Sequence, residues 1–266
     1  MNYQPIENYG LIGNMHTAAL VGLNGSVDWL CFPHFDSPSV FCAILDDAKG
    51  GRFQISPASD EAVTYKQFYW PDTNVLITRF LSPDGVGEVS DFMPVGGTKG
   101  DAGYHTLVRS VHVARGSMRF RVTCHPSFNY ARDSHTISIS SKGARFDSTY
   151  LSLWLSSSVL LTQQGNMVTG EFTLHHGQVA IFALHGCDRD GEQPSQLCER
   201  QGQELFRQTI EYWRRWLSRC TYTGRWREMV HRSALALKLL TFEPSGAIVA
   251  APTSSLPEGI GGERNW

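Results

Sequence analysis

Glu258 and Glu263 stand five residues apart in the closing stretch APTSSLPEGIGGERNW, residues 251–266. Hydrolysis of a glycosidic bond needs two carboxyls, one protonated as acid and one ionised as base or nucleophile. The Gly-rich spacer fixes no distance between this pair, so spacing by itself favours structural hydrogen bonding for either. The adjacent His175 and His176 would point to opposite faces of a strand and cannot chelate one ion. In WLCFPHFDSP, His34 near Asp36 could form an acid/base pair. With no nucleophile or third partner nearby, it reads as a turn stabilised by Asp36. Gly261-Gly262 belongs to no dinucleotide-binding pattern, and neither a GxSxG elbow nor an HExxH pair occurs. The sequence therefore predicts no metal and no cofactor, and no catalytic residue can be assigned from spacing.

Short, alternating segments precede residue 190. In SMRFRVTC, Met118, Phe120, Val122 and Cys124 alternate with Arg119, Arg121 and Thr123, a strand with one dry and one wet face. Ile137 and Ile139, and Leu151, Leu153 and Leu155, repeat the period. QVAIFALHG is apolar on both faces and predicts a central strand. Asn24-Gly25 in AALVGLNGSVDWLC predicts a tight hairpin. About a dozen antiparallel strands, with one short helix over 38–46, give a large β-sandwich.

After the polar stretch GCDRDGEQPS the period becomes helical. Leu205, Thr209, Tyr212/Trp213 and Trp216/Leu217 form one amphipathic stripe. Thr223 would cap a second helix whose stripe is Trp226, Val230, Ala234, Leu237 and Thr241, ended by Pro244 and Gly246. The tryptophans at these spacings, Trp213, Trp216 and Trp226, read as helix packing.

A formal net charge of -2 gives no electrostatic reason to expect nucleic acid or an anionic membrane, and no apolar run nears the roughly 20 residues of a membrane span. The start MNYQPIENYG has no secretory character. A cytoplasmic protein is expected. Six scattered cysteines without CxxC spacing read mostly as small buried hydrophobes.

Three stretches carry a resemblance: GNMHTAALVGLNGSVDWLCFPHFDSPSVF, YWRRWLSRCTYTGRWREMVHRSALALKLLTFEPSGAIVAAPTSSLPE and GGERNW. Together they resemble the bacterial glucoamylase- and trehalase-like members of glycoside hydrolase family 15. The resemblance implies a mainly β chain, with an antiparallel sandwich over 1–190, a linker helix within 191–222, and the start of an (α/α)6 barrel over 223–266. It implies inverting hydrolysis of α-glucosidic bonds, in glucans or in trehalose, by two glutamates about 6.5–9.5 Å apart. Both would lie beyond the end of this chain. Arg264, Asn265 and Trp266 would stand at the edge of the glucose subsite. The chain alone is accordingly expected to be inactive, poorly protected beyond about residue 222, and able to self-associate through its uncovered helical stripe. The rival expectation is a stand-alone, non-catalytic sandwich binding carbohydrate or a partner protein through YKQFYWPD and the Asn24 hairpin.

Overall fold

Alternating sequence over the first 187 residues becomes fifteen antiparallel strands in the computed structural model, which describes residues 3–59, 62–96, 105–187 and 196–253. The first nine are β1 (Tyr9–Gly13), β2 (Ala18–Gly22), β3 (Ser26–Cys31), β4 (Ser39–Cys42), β5 (Arg52–Pro57), β6 (Thr64–Tyr69), β7 (Leu76–Leu81), β8 (Gly85–Phe92) and β9 (Thr106–His125). A single turn, α1 (Phe128–Ala131), follows. Then come β10 (Thr136–Ser140), β11 (Gly143–Asp147), β12 (Ser152–Ser157), β13 (Thr162–Gln164), β14 (Met167–His175) and β15 (Val179–Cys187). Two helices complete the described chain, α2 (Glu199–Leu217) and α3 (Arg227–Leu239).

The twenty-residue strand β9 belongs to both leaves of a sandwich. Its first half pairs with β8 and β15, and its second half with β5 and β14. Gly116 sits where the strand changes leaf, at φ +70, and a Cβ there would meet the Asp84 carbonyl at 1.9 Å. Only glycine fits that corner. Between the leaves lies one apolar core, with Phe53, Phe120 and Val122 facing Phe80, Phe146, Leu155 and Phe182. As alternation predicts, Met118, Phe120, Val122 and Cys124 are buried while Arg119 and Arg121 are exposed. The expected central strand is β15, between β9 and β12.

The Asn24-Gly25 hairpin joins β2 and β3. Only Gly25 takes positive φ (+76), with its N–H on the Gly22 carbonyl at 2.9 Å, so the loop is a three-residue one closed by a left-handed glycine.

Two local readings are corrected. No helix forms over 38–46: Phe41 and Cys42 pair as β4 against Leu30 and Trp29 of β3. The chain then turns at Asp46, whose carboxylate accepts the N–H groups of Ala48 and Lys49. β-Branched and aromatic residues in a pairing strand outweighed weak helical spacing. Strand β10 also keeps only half of the dry face predicted for it: Ile137 packs against the main core, but Ile139 does not. The strand closes the edge of its leaf, and Ile139 is 40% exposed.

Helix α2 buries the predicted stripe. Leu205, Phe206 and Ile210 cover Val75, Ile77, Phe92 and Ile181 on the outside of one leaf. Helix α3 differs from expectation. Trp226, which makes no side-chain cap bond, holds the N-cap position instead of Thr223; the helix ends at Leu239, and it buries His231, Leu235 and Leu239. The expected stripe members Trp226 and Leu237 are 53% and 57% exposed. Polar anchors set this rotation. His231 Nδ1 lies 3.0 Å from Asp72 Oδ1, Arg232 donates to the Thr73 carbonyl, and Asn74 Nδ2 donates to the Leu235 carbonyl. A stripe drawn from apolar residues alone leaves out His231 and these polar anchors.

Candidate functional site

Helices α2 and α3 meet the sandwich at a seam built from Met15, Ala18 and Phe35 against Trp213, Leu217, Leu235 and Leu239. The β1–β2 turn is locked first. Asn14 Oδ1 accepts the N–H groups of His16 and Thr17, both at 3.1 Å, and Met15 is held at φ 66 while fully buried. This turn then clamps its neighbours. Thr17 Oγ1 donates to the Cys31 carbonyl, the Phe35 N–H reaches the His16 carbonyl at 2.8 Å, and the Glu243 N–H reaches the Met15 carbonyl at 2.9 Å.

Three histidines converge there. The His34 ring centroid lies 5.1 Å from His105 and 6.0 Å from His16, and His16 lies 5.7 Å from His105. Phe242, just beyond α3, packs edge-on against His16 and His34. Burial holds the His34 pKa below its ordinary value, and His16 adds to the effect while Asp36 opposes it. His16 Nδ1 also stands 3.8 Å from the Glu243 carboxylate. The cluster thus sets three polar rings at the junction of sandwich and helices. The described residues hold no group of three His, Cys, Asp or Glu side chains arranged for a metal ion.

Beyond α3 the chain doubles back. The Phe242 N–H bonds to the Ala247 carbonyl, the Val249 N–H to the Leu240 carbonyl, and Trp29 Nε1 to the Pro252 carbonyl at 2.9 Å. This return keeps Phe242 beside the histidines and brings Pro252 onto Trp29 of β3. Glu258, Glu263, Arg264, Asn265 and Trp266 lie outside the described residues.

The remaining sequence candidates are dispersed. His175 ends β14, and His176 has its Nδ1 2.9 Å from the Ala114 carbonyl. The His34–Asp36 turn is held by Ser37 instead of Asp36: the His34 N–H donates to Ser37 Oγ, and the Ser37 N–H to the His34 carbonyl. Within YKQFYWPD, Trp70 packs on Phe206, and Arg79 covers Phe68. Cys31, Cys42 and Cys124 are buried, whereas Cys198 is exposed at the start of α2. No helix among the described residues is long and apolar enough to cross a membrane. The histidine cluster went unnoticed in sequence because His16, His34 and His105 come from three separate turns, and no local spacing links them.

Residues 1–209 match the family model described as trehalase-like, N-terminal. A trehalase of Thermoplasma volcanium is 37% identical over 269 residues, covering 99% of this chain and 42% of the relative. One from Thermoplasma acidophilum is 36% identical over 252 residues, 93% of this chain and 42% of the relative. A trehalase of Mycolicibacterium smegmatis is 32% identical over 288 residues, with 99% and 42% covered. The chain spans less than half the length of these curated relatives.

Proposed function

The chain belongs to the trehalase-like N-terminal family, and on that premise we propose that it is the N-terminal part of a glycosidase that hydrolyses trehalose. The observation that carries the reading is similarity running through the sandwich and on through both helices to proteins named trehalase. In this reading the enzyme is a cytoplasmic, inverting member of glycoside hydrolase family 15. The sandwich occupies 1–190, a linker helix falls in 191–222, and an (α/α)6 barrel opens at 223. The outward side chains Trp226, Met229 and Leu237 of α3 would be covered by further barrel helices. Arg264, Asn265 and Trp266 would reach the edge of the glucose subsite.

Inversion requires a glutamic acid beside the leaving oxygen and a glutamate that activates water on the opposite face of the ring. In this reading both lie in the portion of the relatives that this chain does not cover, and the 266-residue chain is expected to release no glucose by itself. A glucan end is the runner-up substrate, since the resemblance in sequence covers glucoamylase-like proteins as well.

The test is a chimera joining this chain to the portion of the Thermoplasma volcanium trehalase that it does not match. Incubated with trehalose, it should release one α- and one β-glucose per turnover, read by proton NMR before mutarotation. The unfused chain should release none. Cleavage of maltose with trehalose untouched would move the assignment to a glucoamylase, and release of α-glucose alone would refute inversion.

A further inference from the structure

The loop that carries His34 has a second side. Away from the helices, Phe32, Pro38 and Val40 line a cavity of about 290 Å³ together with Phe128 and Leu151. We propose that this cavity binds a single pyranose ring. The proposal stands whether or not the reading above holds.

Size and lining point to this ligand class. The volume lies just under the roughly 300–1,000 Å³ found for small-molecule sites, which suits one ring better than a polymer. Its deeper wall is apolar, with Phe32, Val40 and Phe128 all buried. At the rim, Asn129 Nδ2 donates to Asp133 Oδ1 at 3.2 Å, which leaves the second carboxylate oxygen and the amide oxygen as acceptors for a ligand. Tyr150 stands at the same rim, 88% exposed. A pyranose matches such a site, because its C–H face packs on an aromatic or apolar wall while hydroxyls at its edge donate to a carboxylate.

The backbone beneath the rim is unusual. Asn129, Tyr130 and Ala131 all take left-handed dihedrals, with φ of 51, 57 and 61°. L-residues avoid this region, and alanine has no local hydrogen bond to compensate. The turn is held by the Ala131 N–H on the Ser127 carbonyl and the Arg132 N–H on the Phe128 carbonyl. A strained turn that sets an amide and a carboxylate at one cavity rim is a feature found at binding sites.

Methyl α-D-glucopyranoside titrated into the ¹⁵N-labelled chain tests the proposal. A small polar ligand here should bind with a Kd of about 1–10 mM. Shifts should saturate and centre on residues 32–40, 128–133 and 148–151. Tyr150→Ala and Asp133→Ala should each weaken binding at least about fivefold, while Leu237→Ala, on the far side of α3, leaves it unchanged. Tyr150 is too exposed for its loss to unfold the chain, and an unchanged thermal midpoint confirms this for both rim variants. Shifts that stay linear to about 100 mM, binding indifferent to both variants, or equal binding of cyclohexanol would each overturn it. The last would reduce the cavity to an apolar crevice.

Discussion

Arg109 forks onto Asp91 through two hydrogen bonds, at 2.7 and 3.2 Å, and neither side chain is exposed to solvent. The guanidinium also donates to the Phe53 carbonyl at 2.5 Å and to the Gly25 carbonyl at 2.8 Å, and it lies over the Phe53 ring. One side chain of β9 thus ties β8, β5 and the Asn24-Gly25 turn together. Such a pair is expensive to bury, and removing one partner strands the other charge. Asp91→Ala should therefore cost about 3–5 kcal/mol in urea unfolding. Replacing both residues by apolar ones of similar volume should recover most of that. A single-variant loss under about 1 kcal/mol would show that the charge is solvated some other way.

His185 gives the stability a pH dependence. It is buried in β15 with Nδ1 2.9 Å from Thr106 Oγ1, and desolvation lowers its pKa to about 4. The unfolded chain takes up this proton near pH 6.5, before the folded chain can. Stability from this group is therefore complete above about pH 6.5 and is lost as pH falls toward 4. Between pH 7 and 5 the loss should be about 2 kcal/mol, and His185→Gln should flatten that part of the curve. His34, His125 and His135 are lowered by burial in the same direction and add to the slope. An unchanged slope in His185→Gln would exclude it as the main contributor.

On α3, neighbouring leucines should behave differently. Leu235 and Leu239 are buried against the seam, whereas Leu237 is exposed. Leu235→Ala or Leu239→Ala should cost about 2–5 kcal/mol, and Leu237→Ala under about 0.5 kcal/mol. Equal losses would place the helix in a different rotation.

Ala131 offers a substitution that breaks the usual rule. Alanine to glycine normally destabilises by about 0.5–1 kcal/mol, but here glycine removes left-handed strain of about 1–2 kcal/mol. Ala131→Gly should leave the urea midpoint unchanged or raise it. A clear loss would mean that the methyl group packs more tightly than its exposure indicates.

Sequence legibility followed the range of the forces involved. The Met118–Cys124 alternation, the Gly25 turn and the Leu205–Leu217 stripe are each set within a few residues, and each appears in the structure as read. Segment 38–46 misled because pairing with Trp29 and Leu30 decided it, and those partners are not local. The α3 face was misjudged for a similar reason: Asp72 and Asn74 orient the helix from about 160 residues away. At the candidate site, the expected Asp36 turn gave way to Ser37, and the His16–His34–His105 cluster carried no linear signature. Glu258, Glu263 and the Arg264–Trp266 stretch lie outside the described residues, so the structure does not bear on them.

Strand β9 also shapes the order of events during synthesis. Its partners β5 and β8 precede it, but β14 starts at Met167 and β15 at Val179. At about 5–20 residues per second, this half-apolar strand emerges from the ribosome seconds before those strands exist. Through that interval one long side of it offers unsatisfied amides and carbonyls to any other newborn chain.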